Sequence, residues 1–154
     1  MSNLETFKEL KKKTLGLDDK FRFGCRMCGK CCTHREDIIL SPMDFYRMSK
    51  VLRIPPIAIY QEYCHSTIGK HSHMPVQLLR PVGEDRHCPL KKDNLCSVHN
   101  GKPTSCAIFP LGRYIENGTV KYCLQPVDCG DKKVQTVRGW LQGFNIEAED
   151  RAFL

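Results

Sequence analysis

The sequence predicts a small irregular α+β fold, a single domain over residues 1–154 in which helices and a β-hairpin surround cysteine-rich loops. Three observations predict it. Helix-forming patterns stand at Ser41-Pro42 and from Lys133 to Phe144, and an Asn117-Gly118 turn separates two β-prone runs. The stretch from Arg86 to Pro110 is short on periodicity but rich in Cys, Pro and Gly. With 154 residues and 41% hydrophobic content, the chain is long enough for one compact core and too short to expect two independent ones.

Asn3 is an N-cap for a helix in which Leu4, Phe7 and Leu10 share a face, with Gly16 as its stop. Phe21-Arg22-Phe23 is predicted extended and runs into the loop from Gly24 to Cys32, where Gly24 and Gly29 allow tight backbone curvature. Ser41 as N-cap, Pro42 at the first helical position and Asp44 at the third predict a helix reaching about Leu52. Pro55 and Pro56 break it, and Pro56 opens a second helix through Ile57, Tyr60 and Cys64; the two are predicted to form a hairpin lid. Ser66 to Met74 reads as a loop whose His71 and His73 face solvent rather than a metal, and Val76 to Leu79 reads as a strand. Tyr114-Ile115 and Thr119 to Tyr122 flank the Asn-Gly hairpin signal. In the tail, Val134, Val137, Trp140, Leu141 and Phe144 lie at helical spacing and predict a core-facing stripe.

The first residues carry charge throughout and lack a continuous apolar run, so they predict neither a secretory signal nor a membrane anchor, and a cytoplasmic protein is expected. Ten cysteines in such a compartment do not form a disulfide framework, because the reducing pool keeps thiols reduced unless a metal captures them. Cys64 and Cys123 stand outside tight motifs and read equally well as small buried hydrophobes. Nine of the 24 basic residues fall in the first 35 positions, which invites a nucleic-acid reading. Metal-bound thiolates are negative, however, and two four-Cys zinc sites would bring the formal +7 to about +3. No interleaved aromatic and basic pattern supports base stacking either, so nucleic acid is not the expected partner.

Cys25, Cys28 and Cys31 are each separated by two residues, the interval of the C-x2-C-x2-C run by which ferredoxins hold a cluster. Cys88-Pro89 supplies the distant Cys-Pro of that pattern. Cys31 and Cys32 are adjacent, and neighbouring side chains tend to diverge, so the doublet predicts a second or a polynuclear site. Cys96, Cys106 and Cys129 could complete a second quartet with Cys32, each from its own loop. These eight residues are the candidate ligands, and their loops are the expected metal-binding loops. An all-thiolate set suits both an iron–sulfur cluster, of [4Fe–4S] type, and zinc; the ferredoxin-like run favours the cluster. Thiols from segments about 55 to 100 residues apart would close long loops, where a metal stabilises most in the chain-entropy picture.

The motifs together resemble the CxxCxxCC family of zinc- or iron-chelating domains over most of the chain. The matching pieces are Phe23 to Cys32, Leu40-Ser41 before a helix, Cys88-Pro89-Leu90, Asn94 to His99, Lys102 to Cys106, Phe109-Pro110 and Cys129-Gly130. The resemblance implies metal or cluster binding. One relative is a flagellin lysine methylase with further sequence, which supplies the alternative of a methyl- or group-transfer enzyme, an alternative resting on analogy alone. Two positions depart from the family pattern: Lys102 precedes Pro103 where Arg is usual, and His99 stands where Tyr is common. His99 reads as a hydrogen-bonding neighbour of the ligands sooner than as a ligand itself. Besides metal ions, the expected partner is a protein, with the basic N-terminal helix as its surface should the metal serve only to staple the domain.

Overall fold

The computed structural model describes residues 8, 9, 11–70 and 72–148. Along the chain it forms β1 (Thr14–Leu15), β2 (Lys20–Gly24), β3 (Ile39–Leu40), α1 (Pro42–Leu52), α2 (Pro56–Tyr63), β4 (Cys64–Ile68), β5 (Pro75–Leu79), β6 (Lys91–Lys92) and β7 (Leu95–Cys96). Then follow α3 (Thr104–Ile108), β8 (Leu111–Glu116), β9 (Thr119–Leu124), β10 (Asp131–Thr136) and α4 (Val137–Gln142). Short 3-10 turns lie at Lys30–Cys32 and His99–Gly101. The class is α+β, with every strand pair antiparallel. The predicted N-terminal helix rests on Leu4, Phe7 and Leu10, which lie outside the described residues. Among the described residues no helix is long and apolar enough to cross a membrane.

The chain divides into two compact units, one made of the segments up to Arg26 and from Ala107 onward, the other of Met27–Cys106. Length predicts one core, whereas the buried apolar side chains gather in two clusters, one within each unit.

In the Met27–Cys106 unit, α1 starts as its sequence dictates. Ser41 Oγ accepts from Asp44 N at 3.2 Å while Asp44 Oδ2 accepts from Ser41 N at 2.7 Å, a reciprocal capping box. Arg53 at φ +57 then ends the helix. Met48 of α1 and Ile59 of α2 are fully buried among Ile38, Leu40, Cys64, Leu79, Leu90 and Val98, so the two helices build the wall of this core and are not a lid. β3, β5 and β4 form a sheet in that order, with Ile39 opposite Leu78 and Cys64 opposite Leu79. The predicted loop from Ser66 is therefore strand as far as Ile68. Periodicity missed it because β4 beyond Cys64 is exposed along its whole length; backbone pairing to β5 and a 2.6 Å bond from Ser66 Oγ to Gln77 Oε1 hold it. His73 is exposed at φ +54, and His71 lies outside the described residues.

In the other unit, β8 and β9 form the predicted hairpin, with Glu116 opposite Thr119 and the chain reversing through Asn117 (φ +50) and Gly118 (φ +68). β1 adds to the far edge of β9. β10 pairs with β2, and the tail helix starts only at Val137, with Thr136 Oγ1 accepting from Gly139 N at 3.1 Å. Val134 is thus on a strand and half exposed, whereas Val137 and Leu141 are buried as the stripe predicts. Pairing with β2 overrides the helical spacing at this one position. Trp140 stands edge-on to Phe21 and Phe23 at centroid distances of 6.1 and 5.6 Å and donates from Nε1 to Ile108 O at 3.2 Å.

Candidate metal centre

Gly29, in the left-handed region at φ +72, turns the chain into the 3-10 turn that carries Cys31 and Cys32. A Cβ at Gly29 would lie 3.2 Å from Asn94 Oδ1 and from Lys91 Cε, a tight fit to the β6–β7 turn that adds to the strain of the left-handed backbone. Cys32 N donates to Gly29 O and Thr33 N to Lys30 O, both at 3.1 Å, closing the turn. Thr33 Oγ1 donates to Gly29 O at 3.2 Å and accepts from Lys91 Nζ at 3.3 Å. The turn brings the Cys31 and Cys32 sulfurs to 3.9 Å from each other. They do not diverge fully as adjacent side chains in extended backbone would, since the 3-10 turn sets neighbouring side chains about 120° apart, a separation the two rotamers can close.

Three further cysteines come to this pair. Cys88 N donates to Cys32 O at 2.8 Å, and Lys91 N donates to Cys88 O at 3.0 Å. Cys96 sits opposite Lys91 in the β6–β7 pair. Cys106 lies in α3, its N donating to Pro103 O at 2.9 Å. The start of α3 is tied to α1 by a buried carboxylate: Asp44 Oδ1 accepts from Thr104 N at 2.8 Å and Thr104 Oγ1 at 3.0 Å, and also pairs with Arg47. Gly101, just before, packs so closely that a Cβ would meet Arg47 O at 2.8 Å.

The electrostatics show these thiols to be neighbours. The Cys31–Cys32 hydrogen bond lowers the pKa of Cys31 and raises that of Cys32; burial and the negative charges of Cys31, Cys88 and Cys106 push Cys32 further up. Burial pushes Cys106 up to about 12, and the thiolate charges of Cys88, Cys96 and Cys31 add to it. Cys88 is raised by burial first and by Cys96 further down. Against these, Lys102 and Arg35 lower Cys31, and Arg35 lowers Cys88 and Cys106. The raised thiols keep their protons, which avoids their mutual repulsion.

The remaining candidates are placed differently. Cys28 is exposed, in the loop before Gly29. Cys25 and Cys129 belong to the other unit, Cys25 exposed and Cys129 packed against its apolar cluster. Gly24 pairs with Asp131, so Cys25 and Cys129 flank the same end of the β2–β10 ladder. Gly130 between them, at φ +85, could not carry a Cβ, which would fall 2.5 Å from Phe23 Cε2 and 2.8 Å from Gly24 O. Cys64 and Cys123 are buried side chains, as their isolation in the sequence allows. His99 is exposed in its 3-10 turn, with burial and Lys102 lowering its pKa. Among the described residues no three His, Cys, Asp or Glu side chains stand ready-made around one ion. The five thiols share a neighbourhood and not a closed coordination shell.

Sequence reasoning named all five thiols but divided them between two quartets, Cys31 and Cys88 in one and Cys32, Cys96 and Cys106 in the other, and it missed the cation beside them. Arg35 follows the doublet by three residues with no motif around it, and only the fold brings its side chain back to Cys31 O, at 3.2 Å.

No curated protein and no solved structure matches the chain. A family model, CxxCxxCC, described as "putative zinc- or iron-chelating domain", matches residues 24–130, a span that contains every cysteine discussed above. The thiols grouped at the 3-10 turn and the match over more than half of the chain agree, and this protein belongs to the CxxCxxCC family.

Proposed function

We propose that this protein is a metal-binding module whose cysteine thiolates hold an iron–sulfur cluster or a zinc ion. The observation that carries the reading is the group Cys31, Cys32, Cys88, Cys96 and Cys106, drawn from three separate segments into mutual electrostatic reach. The donor set fits either group: soft thiolates, with Cys88 buried and Cys31, Cys32, Cys96 and Cys106 partly so. Four of the five suffice for a four-coordinate zinc or for a [4Fe–4S] cluster; the C-x2-C-x2-C spacing favours the cluster in sequence only, since Cys25 belongs to the other unit and Cys28 is exposed. When bound, the cluster supplies one-electron chemistry, and zinc supplies a cross-link that contributes folding energy.

The chain's own part is to present the thiols and release their protons. Burial keeps Cys106 and Cys88 protonated at neutral pH, so loading must expel those protons, and the 3-10 turn holds Cys31 and Cys32 together to receive the metal. Protein purified without oxygen and analysed for iron, zinc and acid-labile sulfide tests the reading. A cluster gives a brown protein with broad absorbance near about 400 nm; zinc gives a colourless one with stoichiometric metal. Either loaded form should unfold at a higher temperature than the chelated protein, its folding free energy being greater by about 2.7 kcal/mol when metal stands at about a hundred times its Kd. Neither metal bound after anaerobic reconstitution, with no change in melting, would overturn the proposal.

A further inference from the structure

Thiolates gathered out of water raise a problem of charge. Four of them around a divalent ion leave a net charge of about −2, and burying that charge without a partner is costly. The fold has prepared an answer within the same unit. The Arg35 side chain is only 20% exposed, while its ion-pair partner Asp37, at 2.7 Å, is 72% exposed. The guanidinium therefore points inward and the carboxylate outward. Arg35 is held on both sides: its backbone N donates to Arg86 O at 3.3 Å, and Nη1 donates to the carbonyl of Cys31 at 3.2 Å. A guanidinium keeps its charge at every accessible pH and is more weakly hydrated than an ammonium, which suits it to a half-buried ion pair.

We propose that Arg35 is the resident counter-cation of the thiol group, a positioning residue that offsets the assembled negative charge and thereby sets the affinity for a soft divalent cation. The inference rests on the metal-binding reading of that group. The bond from Nη1 to Cys31 O places the guanidinium at the 3-10 turn that carries Cys31 and Cys32, whose sulfurs lie 3.9 Å apart. Lys102 lowers Cys31 more strongly than Arg35 does, but it is an ammonium on a flexible stem, whereas the Arg35 guanidinium is fixed by its bonds to Cys31 O and Asp37. Asp37 works against the effect, because its carboxylate neutralises part of the guanidinium charge.

The test is Zn2+ affinity of the full chain, measured under reducing conditions by competition with a chromophoric chelator. R35Q should weaken binding by about tenfold to a hundredfold, the range for losing an outer partner of a metal site. R35K, which keeps the charge and loses one hydrogen bond, should recover most of the loss. D37N should tighten binding, since it leaves the guanidinium charge whole. A merely structural Arg35–Asp37 brace would make D37N and R35K fail alongside R35Q, and that result overturns the inference, as does wild-type affinity in R35Q. Should R35Q not fold, the opposite signs expected of D37N and R35K decide the matter by themselves. A wild-type chain that takes up no metal overturns the metal-binding reading itself, which separates the two failures.

Discussion

Asp44 is 2% exposed and accepts from Ser41 N, Thr104 N and Thr104 Oγ1 while pairing with Arg47. One carboxylate thus caps α1 and fixes the start of the helix that carries Cys106. The capping half was legible, because Ser41 and Asp44 stand three residues apart; the half that reaches Thr104 was not, because nothing local marks a bond across 60 residues. D44A would leave Arg47 and the Thr104 donors without their buried acceptor. It should cost about 3 kcal/mol in urea unfolding, the range for breaking a buried ion pair by removing one partner. A loss of only about 1 kcal/mol, the usual cost of a lost helix cap, would show that the carboxylate serves only as a cap.

At the scale of elements, two glycines separate what conformation costs from what contact costs. Gly118, at φ +68 in the β8–β9 turn, has nothing within 4 Å of a Cβ, so G118A pays only for the left-handed backbone, about 1 kcal/mol. Gly130, at φ +85, carries the same conformational demand and also lies against Phe23 and Gly24 O. G130A must push β10 away from β2 and should cost at least about 2 kcal/mol. Chemical denaturation of the two variants checks the order, and equal losses would mean that the ladder end beside Cys25 and Cys129 yields freely. The Asn-Gly turn was readable because its type follows from two residues. The strand at Asp131–Thr136 was not, since its partner β2 lies more than a hundred positions earlier.

For the whole molecule, two apolar clusters share the work of stability, and each holds a buried thiol or lies beside one outside the proposed ligand set. Burial pushes Cys64 up to about 11 from an ordinary value near 9, and raises Cys123 as well. Both folded values exceed the unfolded ones, so their contribution is complete below pH 9 and declines as pH rises toward 11, where the unfolded chain has released protons that the folded chain still holds. Urea unfolding of the chelated protein under reducing conditions should show this fall, and C64A should reduce its slope. A flat profile between pH 9 and 11 would place the Cys64 thiol in contact with water. The formal charge of +7 belongs to the same scale: were thiolates bound to metal, as proposed, they would subtract from it and give part of the basic excess an internal counterpart.

The sequence by itself determined the α+β class, the capped helix at Ser41–Pro42, the Asn117-Gly118 hairpin and the set of cysteines worth considering. Each of these is written in residues at most a few positions apart, or in motif spacing. Tertiary structure alone decided that Cys88, Cys96 and Cys106 join Cys31 and Cys32, that α1 and α2 are core and not lid, and that Arg35 faces inward. The reason is range: capping bonds and turn geometry act within one turn of chain, whereas strand pairing, burial and Coulomb forces between thiols depend on which distant segments the fold has made neighbours.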